Sequence, residues 1–137
     1  MSLIEQLKKD EGCVVLHGRH VPYKDSVGVL TIGYGHNLDE GIDEETAEAL
    51  LQKDLDVAEA DLRRAYPWVD KLDGQRRDVL VNMTFNMGIT RLSGFVKFLA
   101  ALEAGDFKTA RYEMLNSKWA AQVGDRAVRL AKKIWSE

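Results

Sequence analysis

Two carboxylic acids and a hydroxyl group near the start of the chain are of the types that acid–base chemistry needs. Glu11 ends a short amphipathic stretch, Asp25 opens a tight turn, and Thr31 follows in the next extended run. Cleavage of a glycosidic bond uses such a carboxyl pair, because one member donates a proton while the other stays ionised. This chemistry requires a fold that holds Glu11 and Asp25 in different environments.

The segment that ends at Glu11 has helical periodicity, because Ile4, Leu7 and Glu11 share one side of a helix over residues 3–11. Gly12 then ends the helix, as expected of a glycine in the left-handed conformation. The pattern places the Glu11 carboxylate against apolar side chains and beside the negative end of the helix, and both settings favour the protonated acid. The alternative is a solvated glutamate that ends a run of charged residues.

Beyond this helix, the period changes to an alternating one over residues 21–34, which predicts a β-hairpin. Asp25 and Gly28 take positions i and i+3 of a type I turn. In the strand that follows, Thr31 and Gly33 share one face. A glycine beside a hydroxyl group lets a bulky ligand approach the backbone, and the alternative is a bend of the sheet that needs glycine.

A long helix comes next, with Asp43 as its N-cap and a stop at Pro67. Its roughly 22 residues span about 33 Å, enough to act as a strut. Asp73 caps a further helix, apolar nearly all round, in which Asn82 and Asn86 must find partners or face a cleft. Three more helices are predicted, over residues 93–104, 106–115 and 125–135.

Composition limits the class of protein. The chain has 137 residues, 45% of them hydrophobic and 30% charged, which is typical of one globular domain. Its single cysteine excludes an internal disulfide. No apolar run is long enough to cross a membrane and the first residues lack the features of a secretory signal, so we expect synthesis and initial residence in the cytoplasm, without stable membrane insertion.

The charge is unevenly distributed along the chain. Residues 1–60 carry 13 acidic and 5 basic side chains, whereas residues 61–137 carry 9 and 14. The basic residues are scattered along helix faces without a stripe of stacking aromatics, which argues against nucleic-acid binding. His17 and His20 have no third ligand nearby in the sequence, so we do not expect them to bind a metal, and acid–base chemistry by two carboxyl groups needs no cofactor.

Short runs spread over nearly the whole chain resemble one known family. They are Asp10-Glu11-Gly12, Tyr23-Lys24-Asp25, Thr31-Ile32-Gly33-Tyr34-Gly35-His36, Arg76-Arg77, Asn82-Met83-Thr84-Phe85-Asn86-Met87-Gly88, Ser93-Gly94-Phe95, Ser117-Lys118-Trp119 and Asp125-Arg126-Ala127. Together they resemble the phage lysozymes (endolysins), glycoside hydrolase family 24. This resemblance implies cleavage of the β-1,4 bond between N-acetylmuramic acid and N-acetylglucosamine in peptidoglycan.

The resemblance also implies an α+β, mostly α, lysozyme-like fold within a single domain of residues 1–137. A small hairpin lobe (about 13–42) is joined by a connecting helix (about 43–66) to a helical-bundle lobe (about 67–137, with the N-terminal helix). A cleft between the lobes holds the substrate.

By resemblance, Glu11 is the general acid, and Asp25 and Thr31 hold and activate the attacking water. This division is that of an inverting hydrolase, in which the two carboxyl groups stand roughly 6.5–9.5 Å apart. Arg126 is implied to pair with Glu11 and orient it, the alternative being a charge on a helix face. Four residues are implied to line the cleft and contact the substrate: His36, Asn37, Phe85 and Asn86.

One departure from the family concerns the acid pair itself. Thirteen residues, from Gly12 to Lys24, separate Glu11 from Asp25, which is more than the family commonly has. The surplus leaves room for an extra loop through residues 17–20. It also leaves open a wall-binding module that has lost catalysis through this insertion. A lytic transglycosylase, which can manage with one glutamate, is the other alternative to an inverting hydrolase.

The leading hypothesis is a monomeric phage or prophage endolysin. Because the chain lacks an export signal, we expect it to need a membrane-permeabilising holin in order to pass from the host cytoplasm to the periplasm. The peptidoglycan glycan strand is the expected substrate.

Overall fold

The computed structural model describes all 137 residues, which form eight α-helices, two 3₁₀ helices (Leu38–Glu40 and Pro67–Lys71) and five short strands. The helices are α1 (Leu3–Glu11), α2 (Glu44–Ala65), α3 (Gly74–Met87), α4 (Ile89–Leu92), α5 (Val96–Glu103), α6 (Phe107–Leu115), α7 (Lys118–Val123) and α8 (Asp125–Ile134). The strands are β1 (Val15–Leu16), β2 (Arg19–His20), β3 (Tyr23–Lys24), β4 (Leu30–Ile32) and β5 (His36–Asn37). The predicted α+β class, mostly α, is confirmed.

The chain divides into two compact units, Met1–Ala49 and Leu50–Glu137. The first contains α1 and all five strands, the second contains α3 to α8, and α2 runs from one into the other. The grouping of the whole chain into one domain stays a prediction.

The predicted hairpin is part of a three-stranded antiparallel sheet in the order β3-β4-β5. Its first turn is the expected one, since the Gly28 N–H donates to the Asp25 carbonyl oxygen at 3.0 Å. Gly28 has a φ of +86°, which lets the following strand start in register. Residues 33–35 form the second turn, where Gly33 adopts a φ of +64°.

The surplus residues between Glu11 and Asp25 form a separate hairpin. Strands β1 and β2 pair antiparallel, Val15 opposite His20. The two residues that join them, His17 and Gly18, both have positive φ (51° and 76°), as a tight two-residue hairpin turn requires. The predicted extra loop is therefore an ordered β-hairpin.

Helices α1 and α2 begin and end where the sequence predicts. The Ser2 hydroxyl oxygen accepts the Glu5 N–H and caps α1, which stops at Gly12 with a φ of +70°. The ψ of Gly12 is −172°, so its conformation is extended at positive φ and the predicted left-handed helical cap is wrong in that detail. Asp43 caps the 22-residue α2 by accepting the Thr46 N–H at 2.8 Å.

Helix α3 supplies much of the core of the second unit. Asp73 caps it, and six of its 14 residues are buried, including Leu80 and Met83. The core also contains Phe98, Leu102, Met114, Leu130 and Ile134 from α5, α6 and α8. None of the helices in the molecule is both long and apolar enough to cross a bilayer.

Two short helices differ from the sequence prediction. Helix α4 (Ile89–Leu92) was not expected, and α5 starts at Val96, after a turn in which the Gly94 N–H donates to the Arg91 carbonyl oxygen. Helix α7 (Lys118–Val123) was also missed, although its N-cap Ser117 accepts the Ala120 N–H. Both helices have six residues or fewer, too few for a periodic pattern to be visible.

Candidate active site

The backbone of Val29 connects two of the predicted catalytic side chains. Oδ1 of Asp25 accepts the Val29 N–H at 2.9 Å and also the Val27 N–H at 2.9 Å. The hydroxyl group of Thr31 donates to the Val29 carbonyl oxygen at 2.8 Å. Asp25 directly follows β3, and Thr31 lies in β4 opposite Tyr23 of β3. The sheet therefore holds both side chains with short hydrogen bonds.

The two residues differ in exposure. Asp25 is exposed, and its second oxygen, Oδ2, accepts no hydrogen bond from the protein. Thr31 is only 2% exposed. Its hydroxyl proton is directed at Val29, so the lone pairs of its oxygen are the groups left to accept another bond. Asp25 thus has a carboxylate oxygen without a protein partner, and Thr31 has a buried hydroxyl oxygen with lone pairs that can accept.

Glu11 lies against the second turn of the sheet. A Cβ atom built on Gly35 would stand 3.0 Å from Glu11 Oε2 and 3.4 Å from Cδ, so a larger residue at this position would displace the carboxylate by a few tenths of an ångström. Gly35 also has a φ of +89°, a conformation that other residues adopt with strain. A Cβ atom built on Gly33 would meet nothing within 4 Å, so the approach of a ligand to Gly33 stays a prediction. The contact with Glu11 is made by Gly35.

The predicted burial of Glu11 is wrong. Glu11 is exposed, and the apolar residues on its side of α1, Ile4 and Leu7, are 67% and 45% exposed. The helical pattern is correct, but no residue of α1 is buried. The contact with the turn backbone, and not an apolar pocket, defines the surroundings of this carboxylate.

His36 and Asn37, predicted to contact substrate, follow this turn in β5. The Nε2 atom of His36 lies 3.0 Å from the Gly41 carbonyl oxygen. The Asn37 side-chain oxygen accepts the Asp39 N–H at 2.9 Å and caps a short 3₁₀ helix, Leu38–Glu40. His36 is exposed and Asn37 partly so, which leaves the rest of each side chain free to bind a ligand.

In the second unit, Arg126 is bound to Asn82. Its Nε and Nη2 both donate to the Asn82 side-chain oxygen, at 3.0 and 2.8 Å. The pair lies in a groove of about 420 Å³ that Phe85, Leu55 and residues of α2, α3 and α8 also line. Asn82 thus finds the partner that its position on an apolar helix required. The pair between Arg126 and Glu11 stays a prediction.

Asn86 and Phe85 lie one residue apart on α3 and are both exposed. The Asn86 side-chain oxygen accepts the indole N–H of Trp119 at 2.7 Å. Trp119 is 5% exposed, so this bond satisfies a buried donor. The amide nitrogen of Asn86 and the ring of Phe85 are the groups that remain free in this part of the unit.

The fold defines a class of protein: a small, mostly helical α+β protein whose first unit carries Glu11, Asp25 and a three-stranded sheet. Comparison with known proteins is more specific, because residues 8–133 match the model of the phage lysozyme family. The chain belongs to the phage lysozyme family and is a glycoside hydrolase of the lysozyme type.

Curated relatives agree with this assignment. A probable T4-type lysozyme 2 of Dictyostelium discoideum is 29% identical, over 94% of this chain and 91% of its own length. The SAR-endolysin of Escherichia phage Mu is 30% identical, over 85% of this chain and 71% of its own. The pre-baseplate central spike protein Gp5 of Enterobacteria phage T4 is 28% identical over 95% of this chain, which spans 27% of that protein.

Proposed function

We propose that this protein is an endolysin that hydrolyses the β-1,4 bond between N-acetylmuramic acid and N-acetylglucosamine in peptidoglycan, with inversion at the anomeric carbon. Family membership supports the substrate class. The observation that carries the finer proposal is the arrangement at Val29. One oxygen of Asp25 is fixed by two backbone donors, while the other is free to take a proton from water.

In this proposal Glu11 is the general acid. Protonated Glu11 gives its proton to the glycosidic oxygen, so that the bond to the anomeric carbon breaks and the leaving sugar departs as a neutral alcohol. The close approach of Gly35 restricts where the carboxylate can lie. A donor with a fixed position favours transfer to a substrate oxygen at hydrogen-bond distance.

Asp25 is the general base. As water attacks the anomeric carbon from the opposite face, Oδ2 accepts its proton, and the new C–O bond forms with inverted configuration. The Thr31 oxygen accepts a hydrogen bond from the same water and orients it. The next catalytic cycle starts after Asp25 releases its proton and Glu11 regains one.

The remaining site residues have supporting roles. His36 and Asn37 of the first unit, and Phe85 and Asn86 of the second, are proposed to contact the sugars. Arg126 is proposed to orient Glu11 through its charge. An Arg126→Met variant should then lose activity, whereas Arg129→Met, which removes an exposed arginine of the same helix, should not.

Mass spectrometry of digested peptidoglycan tests the proposed reaction. Wild-type protein should release fragments that end in a reducing N-acetylmuramic acid, and NMR of fresh product should show the α-anomer first. Anhydro ends, lighter by one water, would identify a lytic transglycosylase. Intact glycan that still retains the protein would identify a wall-binding module.

Substitutions test the two carboxylates. Glu11→Gln and Asp25→Asn should each lower kcat by at least ~10²-fold, the usual contribution of an acid or base catalyst. Asn at position 25 keeps the side-chain oxygen that accepts the backbone N–H groups, so the turn should survive. Asp10→Asn, beside Glu11, is the control for loss of an exposed charge. An active Asp25→Asn variant would refute the role of Asp25 as the base.

The cellular setting is part of the same proposal. The endolysin acts as a monomer, accumulates in the host cytoplasm and reaches the periplasm once a holin has permeabilised the membrane. Expression in a Gram-negative host should therefore lyse the cells only when a holin is expressed with it. Lysis without a holin would show an independent route of export.

A further inference from the structure

A cluster of three side chains lies beside the proposed acid, within the first unit. Tyr34 occupies the middle of the turn at residues 33–35, next to Gly35. The Lys8 ammonium group of α1 lies 5.3 Å from the centroid of the Tyr34 ring. The ring of His20, on β2, meets the Tyr34 ring edge-on, with centroids 5.0 Å apart and planes at 68°. The catalytic roles proposed above use none of these three residues.

Lys8 and Glu11 are three residues apart on α1, so their side chains leave the helix on the same side. Lys8 reaches Tyr34 and Glu11 reaches Gly35, the next residue of the turn. The last turn of α1 therefore meets this short turn at two neighbouring points. Since α1 buries none of its residues, we expect these contacts to contribute to holding its end against the turn.

The turn itself is fixed at its first residue. The hydroxyl group of Tyr23, on β3, donates to the Gly33 carbonyl oxygen at 3.4 Å. His20 then supports the Tyr34 ring from the β1–β2 hairpin. This hairpin contains the surplus residues of the connection between Glu11 and Asp25.

We propose that Tyr34, held between Lys8 and His20, is a positioning residue for Glu11, and that the β1–β2 hairpin keeps the acid in place despite the longer connection. The contact of Lys8 with the Tyr34 ring holds the end of α1 against the turn at residues 33–35. It thereby fixes the position of the Glu11 carboxylate beside Gly35. An exposed cation–ring contact and an edge-on ring pair each contribute enough to change a conformational population about two- to tenfold. The inference rests on the proposed role of Glu11 as the acid.

The test compares Tyr34→Phe, which keeps the ring, with Tyr34→Leu, which removes it. Tyr34→Leu should lower kcat about three- to tenfold with little change in KM, because the acid is misplaced while the sugar contacts remain. It should also change the shape of the pH profile of kcat, which a smaller folded fraction alone would not do. Tyr34→Phe should keep the wild-type kcat and profile. Tyr112→Leu, which removes another exposed tyrosine, is the matched control.

Substitutions at Lys8 give an independent comparison. Lys8→Met should lower kcat as Tyr34→Leu does, Lys8→Arg should restore it, and Lys9→Met, the adjacent lysine of α1, should have no effect. The double variant of Lys8→Met with Tyr34→Leu should lose little more than Tyr34→Leu alone, because Tyr34→Leu already breaks the contact that Lys8 makes. Equal losses in Lys8→Met and Lys9→Met would overturn the proposal, as would a Tyr34→Phe variant as slow as Tyr34→Leu.

NMR separates this inference from the proposed function. The ε-CH₂ protons of Lys8 should show a ring-current shift that Tyr34→Leu abolishes and Tyr34→Phe keeps. If Glu11→Gln is inactive but the shift is absent, the cluster is refuted and the acid stands. If the shift is present but Glu11→Gln is active, the role of Glu11 as the acid fails, and the positioning role of Tyr34 fails with it.

Discussion

The Glu11 carboxylate fits against Gly35 because that residue has no side chain: a Cβ atom there would stand 3.0 Å from Oε2. Gly35→Ala should therefore push the carboxylate aside by a few tenths of an ångström. A displaced donor transfers its proton less well, so kcat should fall while KM changes little. Steady-state kinetics on purified peptidoglycan measures both constants.

Gly33→Ala is the matched control for this substitution. Gly33 also has a positive φ, 64° against 89° for Gly35, but a Cβ atom there would meet nothing within 4 Å. Both variants should lose about 1–2 kcal/mol of stability from backbone strain. Only Gly35→Ala should lose kcat beyond that. Equal kinetic losses in the two variants would mean that strain in the turn, and not contact with Glu11, is responsible.

The hydroxyl group of Thr31 is the subject of a second prediction. Thr31→Val keeps the shape of the side chain and removes the hydroxyl, whereas Thr31→Ser keeps it. One hydrogen bond to the attacking water is worth about 1–1.5 kcal/mol, so Thr31→Val should be about tenfold slower, and Thr31→Ser should stay close to wild type.

Thr84 offers the control, because it is also buried and its hydroxyl also donates to a backbone carbonyl oxygen, that of Leu80. Thr84→Val removes the same kind of bond from the second unit. Urea unfolding should show a similar loss of stability in both valine variants, but Thr84→Val should keep its kcat. A Thr31→Val variant with full activity would exclude Thr31 from the reaction.

The features that were predicted best from the sequence are helix starts and ends, which depend on residues close together in the chain. Asp43 and Asp73 cap the helices expected of them, and Pro67 follows the long helix at its predicted end. An N-cap needs one side chain and the backbone a few residues away, so its signal is contained in the sequence itself. Short helices are a different case: Ser117 caps α7, but six residues do not show a period.

The surroundings of Glu11 could not be predicted from the sequence. The apolar positions of α1 were predicted correctly, but a pattern identifies a face and does not identify what covers it. The contact with Gly35 could not be found either, because it joins a helix end to a turn far along the chain. In the sheet β3-β4-β5, the run from Thr31 to His36 indicated strand and turn, while the shared bonds to Val29 depend on the register of the two strands.

A third prediction concerns Asn86, whose side-chain oxygen accepts the indole N–H of Trp119. Asn86→Ala should lower the free energy of unfolding by about 1–3 kcal/mol, because it leaves a buried donor without a partner. Urea denaturation followed by tryptophan fluorescence measures this loss. Asn116→Ala, at the end of α6, should change stability less, since Asn116 lies at an exposed helix end.

The double variant with Trp119→Phe shows whether the bond is the cause. Phenylalanine removes the N–H, so adding Asn86→Ala to Trp119→Phe should cost far less than Asn86→Ala does alone. Additive losses would contradict this explanation. The result also decides how to interpret kinetics, because a substrate-contact role for Asn86 requires a rise in KM beyond what lower stability explains.

The fourth prediction is that the protein loses stability at acidic pH because the helix caps Asp43 and Asp106 become protonated. Hydrogen bonds from the side chain and the backbone N–H of Thr46 hold the pKa of Asp43 below its usual value. Thr109 lowers the pKa of Asp106 in the same way at the start of α6. A lowered pKa in the folded state means that the stabilisation is complete above the unfolded value of about 3.9. It is then lost as the pH falls through the folded pKa.

Asparagine tests this directly, because it caps a helix about as well as aspartate but does not titrate. Thermal unfolding between about pH 2 and pH 6 should show a steep fall in Tm for the wild type below the unfolded pKa of about 3.9. The double variant Asp43→Asn with Asp106→Asn should show a shallower fall in that range and nearly the wild-type Tm at pH 6. Asp54→Asn, an exposed change within α2, is the control for the loss of one negative charge. If the slope of Tm against pH is unchanged in the double variant, the two caps bind no more protons in the unfolded chain than in the folded one. Other carboxylates would then cause the acid unfolding.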